Sequence, residues 1–364
     1  MNPTRRYAAA IAAIVTATAG LLAGSGILAG AANAATTFIG PLNTTTTIAS
    51  TVPVNGDQNP YGVAVVPQSV GALHRGDVLV SNFNDQANVQ GTGTTIVQVS
   101  PGGTVSQFAG ITDSACPGGV GLTTALVVLR SGWVIVGSLP TQNGSVSGAG
   151  CLIVLDSHGA VRETISGHGI NGPWDMTALD LGGITQLFVT NVLNGLAGST
   201  GTVNQGTVLR LVITSGPVGL PHLLAVTRIG SGFPETLNNA ALVIGPTGVG
   251  LGANGTLYVA DTLNNRIAAI PNAVLRLTDD GVGQTVSAGG NLNGELGLAI
   301  APNGDILTVN GGDGNIVEVT PGGAQTFKTL IPNGAGDLFG LAVKPGADAL
   351  YFVNDGNNTI ELFH

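Results

Sequence analysis

One short pattern recurs along this chain and limits its possible folds more than any other feature. "GVAVVP" at residues 62–67, "GLAIAP" at 297–302 and "GLAVKP" at 340–345 share the form G-[VL]-A-[VI]-x-P. Looser copies are "TTALVVL" (123–129), "WDMTALD" (174–180) and "TGVGLGANG" (247–255). Counted from residues 62, 123, 174, 247, 297 and 340, neighbouring copies lie 43 to 73 residues apart. A turn and a second apolar run follow each: "DVLVSN" (77–82), "GWVIVGS" (132–138), "QLFVTN" (186–191), "TLYVAD" (256–261), "DILTVN" (305–310) and "LYFVND" (350–355). Beyond a polar, glycine-rich loop comes a third: "TTIVQVSPGG" (94–103), "CLIVLDSHG" (151–159), "TVLRLVITSG" (207–216), "AVLRLTDDG" (273–281), "NIVEVTPGG" (315–323) and "TIELFH" (359–364). Short runs rich in Val, Ile and Thr between turn residues read as strands, and no segment keeps helical apolar spacing for three turns. Six self-similar antiparallel units of three or four strands predict an all-β, six-bladed β-propeller.

Each small sheet has two apolar faces and cannot bury them alone, so the units must stack. Val63, Val65, Ile300 and Val343 on the innermost strands are expected to pack between blades, while Gly62, Gly297 and Gly340 let six strands crowd around one axis. An open ring would leave sheet edges exposed. The sixth unit ends at His364 after three strands, and the β-prone "TTTTIAST" (44–51) has no unit of its own. This N-terminal strand is therefore expected to pair beside "TIELFH" and close the last blade.

Residues 1–34 have the layout of a signal peptide: Arg5 and Arg6, an Ala/Leu/Ile/Gly run over residues 8–32, and the A-x-A site Ala32-Asn33-Ala34. A transmembrane anchor is the alternative, but the run is rich in Ala and Gly and a cleavage site follows it. "TRRYAAA" loosely resembles a twin-arginine signal without its full form, so the export route stays open between the general and the twin-arginine pathways. The expected mature chain is a single domain over residues 35–364, secreted and monomeric. All 20 acidic residues and nine of the 11 basic ones lie after residue 34, so that portion carries 9 − 20 = −11 formal charges. Nucleic-acid and anionic-membrane partners are excluded on that ground, since both require basic patches. No later apolar run reaches the roughly 18 residues of a membrane span. Cys116 and Cys151 are the only cysteines. In an oxidising compartment a disulfide is the first reading, with a two-cysteine metal site as the alternative; no histidine sits at ligand spacing beside either.

"LYVADTLNNRI" (257–267) is similar to the strand-turn-strand signature of NHL repeats, V-A-D-x-x-N-x-R-I, found in six-bladed propellers. Residues 294–319 and 337–362 resemble the same repeat in divergent form. The resemblance is specific over the last third of the chain, weaker from residue 59 to 103, and weakest from 104 to 235. It implies kinship with a group that holds lactonases of the senescence-marker and gluconolactonase type, streptogramin lyase, amidating lyases and proteins that only bind, so the fold alone does not set the function.

Asn and Asp side chains bond neighbouring backbone and tolerate left-handed conformations, which explains Asp261 with Asn264 and Asn265, and the counterparts at 82–85, 191–194, 310–315 and 354–358, as turn formers. The same residues make an oxygen-rich rim. Asn59, Asp175, Glu295 and Asp337 fall just before or at equivalent inner-strand glycines, a set suited by residue type to Ca²⁺ on the axis, as in the lactonase-like relatives. Glu235 in "GFPETLNN" is a further rim acid. His168 in "GHGINGPWD" is the one histidine that leads into an inner strand and the only candidate base; no G-x-S-x-G, H-E-x-x-H or dinucleotide loop is present, and the rim histidines of streptogramin lyase have no counterpart. Tyr61, Trp174 and Phe339 precede inner strands, to plug the channel mouth or, with Asp261, to line a ligand pocket. Two functions follow as expectations. The first is a binding or scaffold protein that uses the Asn/Asp-rich rim and the long loops at 139–150 and 191–206 to take a protein, a glycan or a small molecule. The second is a Ca-dependent lactonase- or lyase-like hydrolase.

Overall fold

The computed structural model describes residues 37–112, 115–142, 145–196, 199, 201–238 and 241–364; the leader expected over residues 1–34 lies outside them, as do parts of the loops at 139–150 and 191–206. Six antiparallel sheets follow one another along the chain. The first strand, β1 (Thr45–Ser50), is set aside for the last blade. Blade 1 is β2 (Gln58–Val65), β3 (Val78–Asn84), β4 (Thr95–Val99) and β5 (Val105–Gly110). Blade 2 is β6 (Leu126–Val128), β7 (Val134–Ser138), β10 (Cys151–Leu155) and β11 (Val161–Ser166), with a small hairpin, β8 (Thr141–Gln142) and β9 (Ser145–Val146), between its second and third strands. Blade 3 has five strands, β12 (Gly172–Asp180), β13 (Ile184–Val192), β14 (Val203–Thr214), β15 (Leu223–Asn238) and β16 (Leu242–Ile244). Blade 4 is β17 (Pro246–Leu251), β18 (Leu257–Asp261), β19 (Arg266–Ile270) and β20 (Gln284–Ala288), and blade 5 is β21 (Glu295–Ile300), β22 (Ile306–Asn310), β23 (Asn315–Val319) and β24 (Gln325–Thr329). Blade 6 is β25 (Leu338–Val343), β26 (Leu350–Asn354) and β27 (Thr359–Phe363), and its fourth strand is β1, antiparallel to β27 with Thr45 opposite Phe363.

Alternation along the second and third strands sends successive side chains to opposite neighbours. In blade 1, Leu79 and Ile96 pack with Val134, Val136 and Ile153 of blade 2, whereas Val78, Val80, Val97 and Val99 pack with Tyr351, Val353 and Ile360 of blade 6. Four further cores join blades 2 and 3, 3 and 4, 4 and 5, and 5 and 6. These strands are buried on both faces and therefore read as unbroken apolar runs. The segment before β1 strengthens the seam between blades 5 and 6: Phe38, Ile39 and Leu42 enter that core, the Phe38 and Ile39 amides donate to the Glu318 carboxylate at 2.6 and 2.8 Å, and the Lys328 ammonium donates to the carbonyls of Gly40 and Leu42. Cys116 and Cys151 form a buried disulfide, with Cα atoms 5.5 Å apart, in the core between blades 1 and 2. Among the described residues no helix is long and apolar enough to cross a membrane.

One strand assignment is corrected. The third strand of blade 4 is "RIAAI" (Arg266–Ile270), not "AVLRLTDDG". A 3₁₀ turn at Thr262–Asn264, closed by Asn265 in the left-handed region, brings the chain straight back along β18. Pro271 and Asn272 at φ 55° then end the strand, leaving Leu275 and Leu277 exposed.

Candidate functional site

The innermost strands are irregular at their N-terminal ends. Strand pairing slips between Pro60 and Val63, Pro173 and Asp175, Pro246 and Val249, Glu295 and Leu298, and Leu338 and Leu341, so five blades bulge at the same place. Inside the bulges the strands nearly touch. A Cβ on Gly62 would lie 2.8 Å from the Thr124 carbonyl of the next blade, one on Gly248 2.2 Å from that of Leu296, one on Gly297 2.5 Å from that of Phe339, and one on Gly340 1.9 Å from that of Tyr61. Buried hydroxyls staple the crossings. The Gly62 amide donates to Ser81 Oγ, which donates to the Thr123 carbonyl of blade 2; the Asp175 amide donates to Thr190 Oγ1, which donates to the Thr247 carbonyl of blade 4. The shared pattern makes Asp175 the counterpart of Gly62.

The bulged end of the axis is filled. Tyr61, Phe83, Trp174 and Phe339 interlock with ring centroids 5.5–6.5 Å apart, and Trp174 Nε1 donates to the Tyr61 hydroxyl at 2.7 Å. Leu122, Leu139, Val192 and Val243 complete this cluster, in which Trp174 is 1 % exposed. The three sequence-selected aromatics thus meet at the channel mouth. Beneath them the axis is hollow: a cavity of about 400 Å³ runs between the six innermost strands, walled mainly by Gly, Ala, Val, Leu and Ile. Val63, Val65, Ile300 and Val343, expected only between blades, also form its wall. Wall residues at the far end (Val65, Val128, Ala178, Leu251, Ile300 and Val343) are partly exposed, so the cavity is a well closed at its other end by the aromatic floor, of which Tyr61 alone lines the cavity.

Asp175 stands near that floor and, among the described residues, is the one carboxyl of the wall, which holds no Lys, Arg or His. Its oxygens accept the Met176 amide at 2.7 Å and, across the blade boundary, the Val249 amide at 3.2 Å. Burial pushes its pKa up to about 7, against the lowering effect of those two amides. Tyr61 is raised well above its ordinary value, first by burial and then by the Asp175 charge.

The other sequence-selected residues lie elsewhere. Glu295 is fully buried, its Oε1 accepting the Arg266 amide; burial first, and the nearby Asp261 charge to a lesser degree, raise it to about 8. Asp261 is likewise buried, and its Oδ2 accepts from Arg266 Nε and Nη2 and from Asn264 Nδ2. Asp337 lies against Gly356 and, after burial, helps raise Asp355 to about 7. The Asn59 amide, at φ 60°, donates to Asn358 Oδ1. Glu235 is buried on β15, and burial raises it to about 7. His168 sits at φ 55° in an exposed turn, away from the cavity. Asp175, Glu295 and Asp337 do not converge: among the described residues no group of three or more His, Cys, Asp or Glu side chains could hold a metal ion.

The rim amides act on the backbone. Asn265 and Asn358 occupy the same left-handed turn position in blades 4 and 6, and each accepts the amide at the entry of the following blade, Gly294 at 2.7 Å and Asn59 at 2.8 Å. Asn191 does the same within blade 3 for the amides of Asn171 and Gly172. The D-x-x-N-N-R elbow is a clamp between blades.

A closed ring of six four- or five-stranded sheets around a lined axis defines the class: a six-bladed β-propeller. Solved structures with the same architecture include a gluconolactonase from Xanthomonas campestris (TM-score 0.57, 14% identity, 89% of this chain and 89% of that one), a pyrroloquinoline-quinone-bound aldose sugar dehydrogenase from Streptomyces coelicolor (0.53, 14%, 88% and 97%) and a streptogramin B lyase (0.51, 14%, 88% and 97%). At such identity the likeness is one of fold. No family model and no curated protein matches the sequence.

Proposed function

We propose that this protein binds a small, largely apolar molecule in the axial well. The carrying observation is the well itself: about 400 Å³ of space, within the size range of small-molecule sites, walled by aliphatic side chains and bare glycine backbone, with Asp175, Thr124 and Thr177 as polar side chains on its wall. The binding reading drawn from the sequence is kept, and its location moves from the rim to the axis, because the rim Asn and Asp side chains already hold turns and blade entries. We also place the protein outside the cytoplasm, on the strength of its leader-like first 34 residues and the Cys116–Cys151 disulfide. Six inter-blade cores closed within one chain support a monomer.

The test is ligand-observed NMR with benzyl alcohol on the wild-type protein and on Ala342→Trp, which fills the well from its wall. Binding by the former and loss in the latter is the expected result. Equal binding by both would refute a site in the well.

A Ca²⁺-dependent lactonase or lyase remains the competing reading from the sequence. Its acidic ligands Asp175, Glu295 and Asp337 are not brought together, so no catalytic step is derived through a metal. Metal analysis with a thermal melt in chelator tests it; bound Ca²⁺ and a lowered melting temperature on stripping would turn the assignment toward that reading.

A further inference from the structure

We infer that the axial well selects an organic cation, an apolar body bearing a protonated amine that pairs with the Asp175 carboxylate. This rests on the well being a binding site, and it adds the charge of the occupant. Three observations converge. First, Asp175 replaces a glycine: its counterpart Gly62, and Gly248, Gly297 and Gly340 in the same bulge, sit where a Cβ would meet the next blade's backbone. Four blades thus leave this position without a side chain, whereas blade 3 places a carboxyl on the cavity wall. Second, among the described residues this acid meets no cation across the cavity, whose wall carries no Lys, Arg or His. The amides of Met176 and Val249 occupy one acceptor site on each oxygen, and a carboxylate has about four such sites. Third, Tyr61 lines the same end of the cavity, and a carboxylate beside an aromatic residue is a setting that favours an ammonium group over a neutral donor. The chain's net charge of −9 would also draw cations toward the protein.

A carboxylate ligand is disfavoured at this site by like charge. An isosteric alcohol would fit the apolar wall but leave the buried acid without a counter-charge.

The test compares benzylamine, benzyl alcohol and benzoate on wild-type protein by calorimetry, with Asp175→Asn and Ala342→Trp alongside. Benzylamine is expected to bind at least about tenfold more tightly than benzyl alcohol, the equivalent of one charge-assisted contact, with benzoate weakest. Asp175→Asn should erase the amine preference while alcohol binding persists. Should benzyl alcohol match benzylamine on the wild type, with both lost in Ala342→Trp, the well stands as a site and the cation inference is overturned. If no probe binds, or binding survives in Ala342→Trp, the well reading itself fails and this inference goes with it. The wild-type comparison needs no variant to fold, so it decides for or against the cation even where Asp175→Asn damages the protein.

Discussion

At one end of the axis Tyr61, Trp174 and Phe339 interlock across three blades, while at the other Val65, Ala178, Leu251 and Val343 leave the same axis open. Both ends are made by the same innermost strands. What differs is the backbone: at the closed end the strands bulge, so consecutive residues lose the strict in-and-out alternation and large rings turn over the axis. Past the bulge, alternation resumes, and small or β-branched side chains face the axis without meeting across it. Closure in this propeller thus comes from a local defect repeated around the ring, and a binding cavity is what regular strands leave behind when the defect ends.

Changes at the two ends should therefore have unequal effects. Gly340→Val, in the bulge, forces a Cβ to within 1.9 Å of the Tyr61 carbonyl across the seam between blades 6 and 1. It is expected to cost more than about 4 kcal/mol, read as loss of the folded fraction in circular dichroism. Trp174→Ala empties the centre of the aromatic floor. Urea titration should show a loss of about 3–5 kcal/mol; a value below about 1 would mean that the floor is not a packed unit.

Glu295, at the bulge between blades 4 and 5, gives a pH-dependent contrast. Its folded-state pKa of about 8 stands above the ordinary 4.5, so its stabilising contribution is complete below about pH 4.5 and is lost as pH rises toward 8. Glu295→Gln keeps an oxygen for the Arg266 amide and removes the charge. At pH 9 it should be more stable than the parent by about 2 kcal/mol, with the gap closing by pH 4; a gap that widens toward acid would reverse the assignment. Ala342→Leu, at the open end, should move stability by less than about 1 kcal/mol while weakening benzyl alcohol binding. A destabilisation as large as that of Trp174→Ala would erase the contrast between the two ends.

Much of the fold was legible because the second and third strands of each blade are buried on both faces and read as largely apolar runs, as in "DVLVSN" and "TTIVQV". The outermost strands were not. Val105–Gly110 shows the pattern exposed-exposed-exposed-buried-buried-exposed, and Gln325–Thr329 is polar throughout except for Phe327, so neither carries a strand's periodicity. "AVLRLTDDG" misled for the opposite reason: it alternates as a strand should, yet Pro271 and Asn272 have already turned the chain outward. At the site, the equivalence of Asp175 with a glycine position could be read from the repeat, and so could the three aromatics. The separation of Glu295 and Asp337 from Asp175 could not. Glu295 precedes the glycine position by two residues, at the counterpart of Pro173, and there its side chain turns into the interface toward the Arg266 amide, whereas Asp175 at the glycine position lines the wall. The hydroxyl staples Ser81 and Thr190 carried no signal that separates them from ordinary strand residues.

The seam between β1 and β27 orders events in time. Thr45–Ser50 pairs with Thr359–Phe363, more than 300 residues further along the sequence, so β1 must wait for five other blades to be made before its partner exists. Contacts that remote in sequence form slowly. Removing Thr359–Phe363 would strip blade 6 of its third strand and detach its fourth, so a chain without that strand would keep five blades and have no ring.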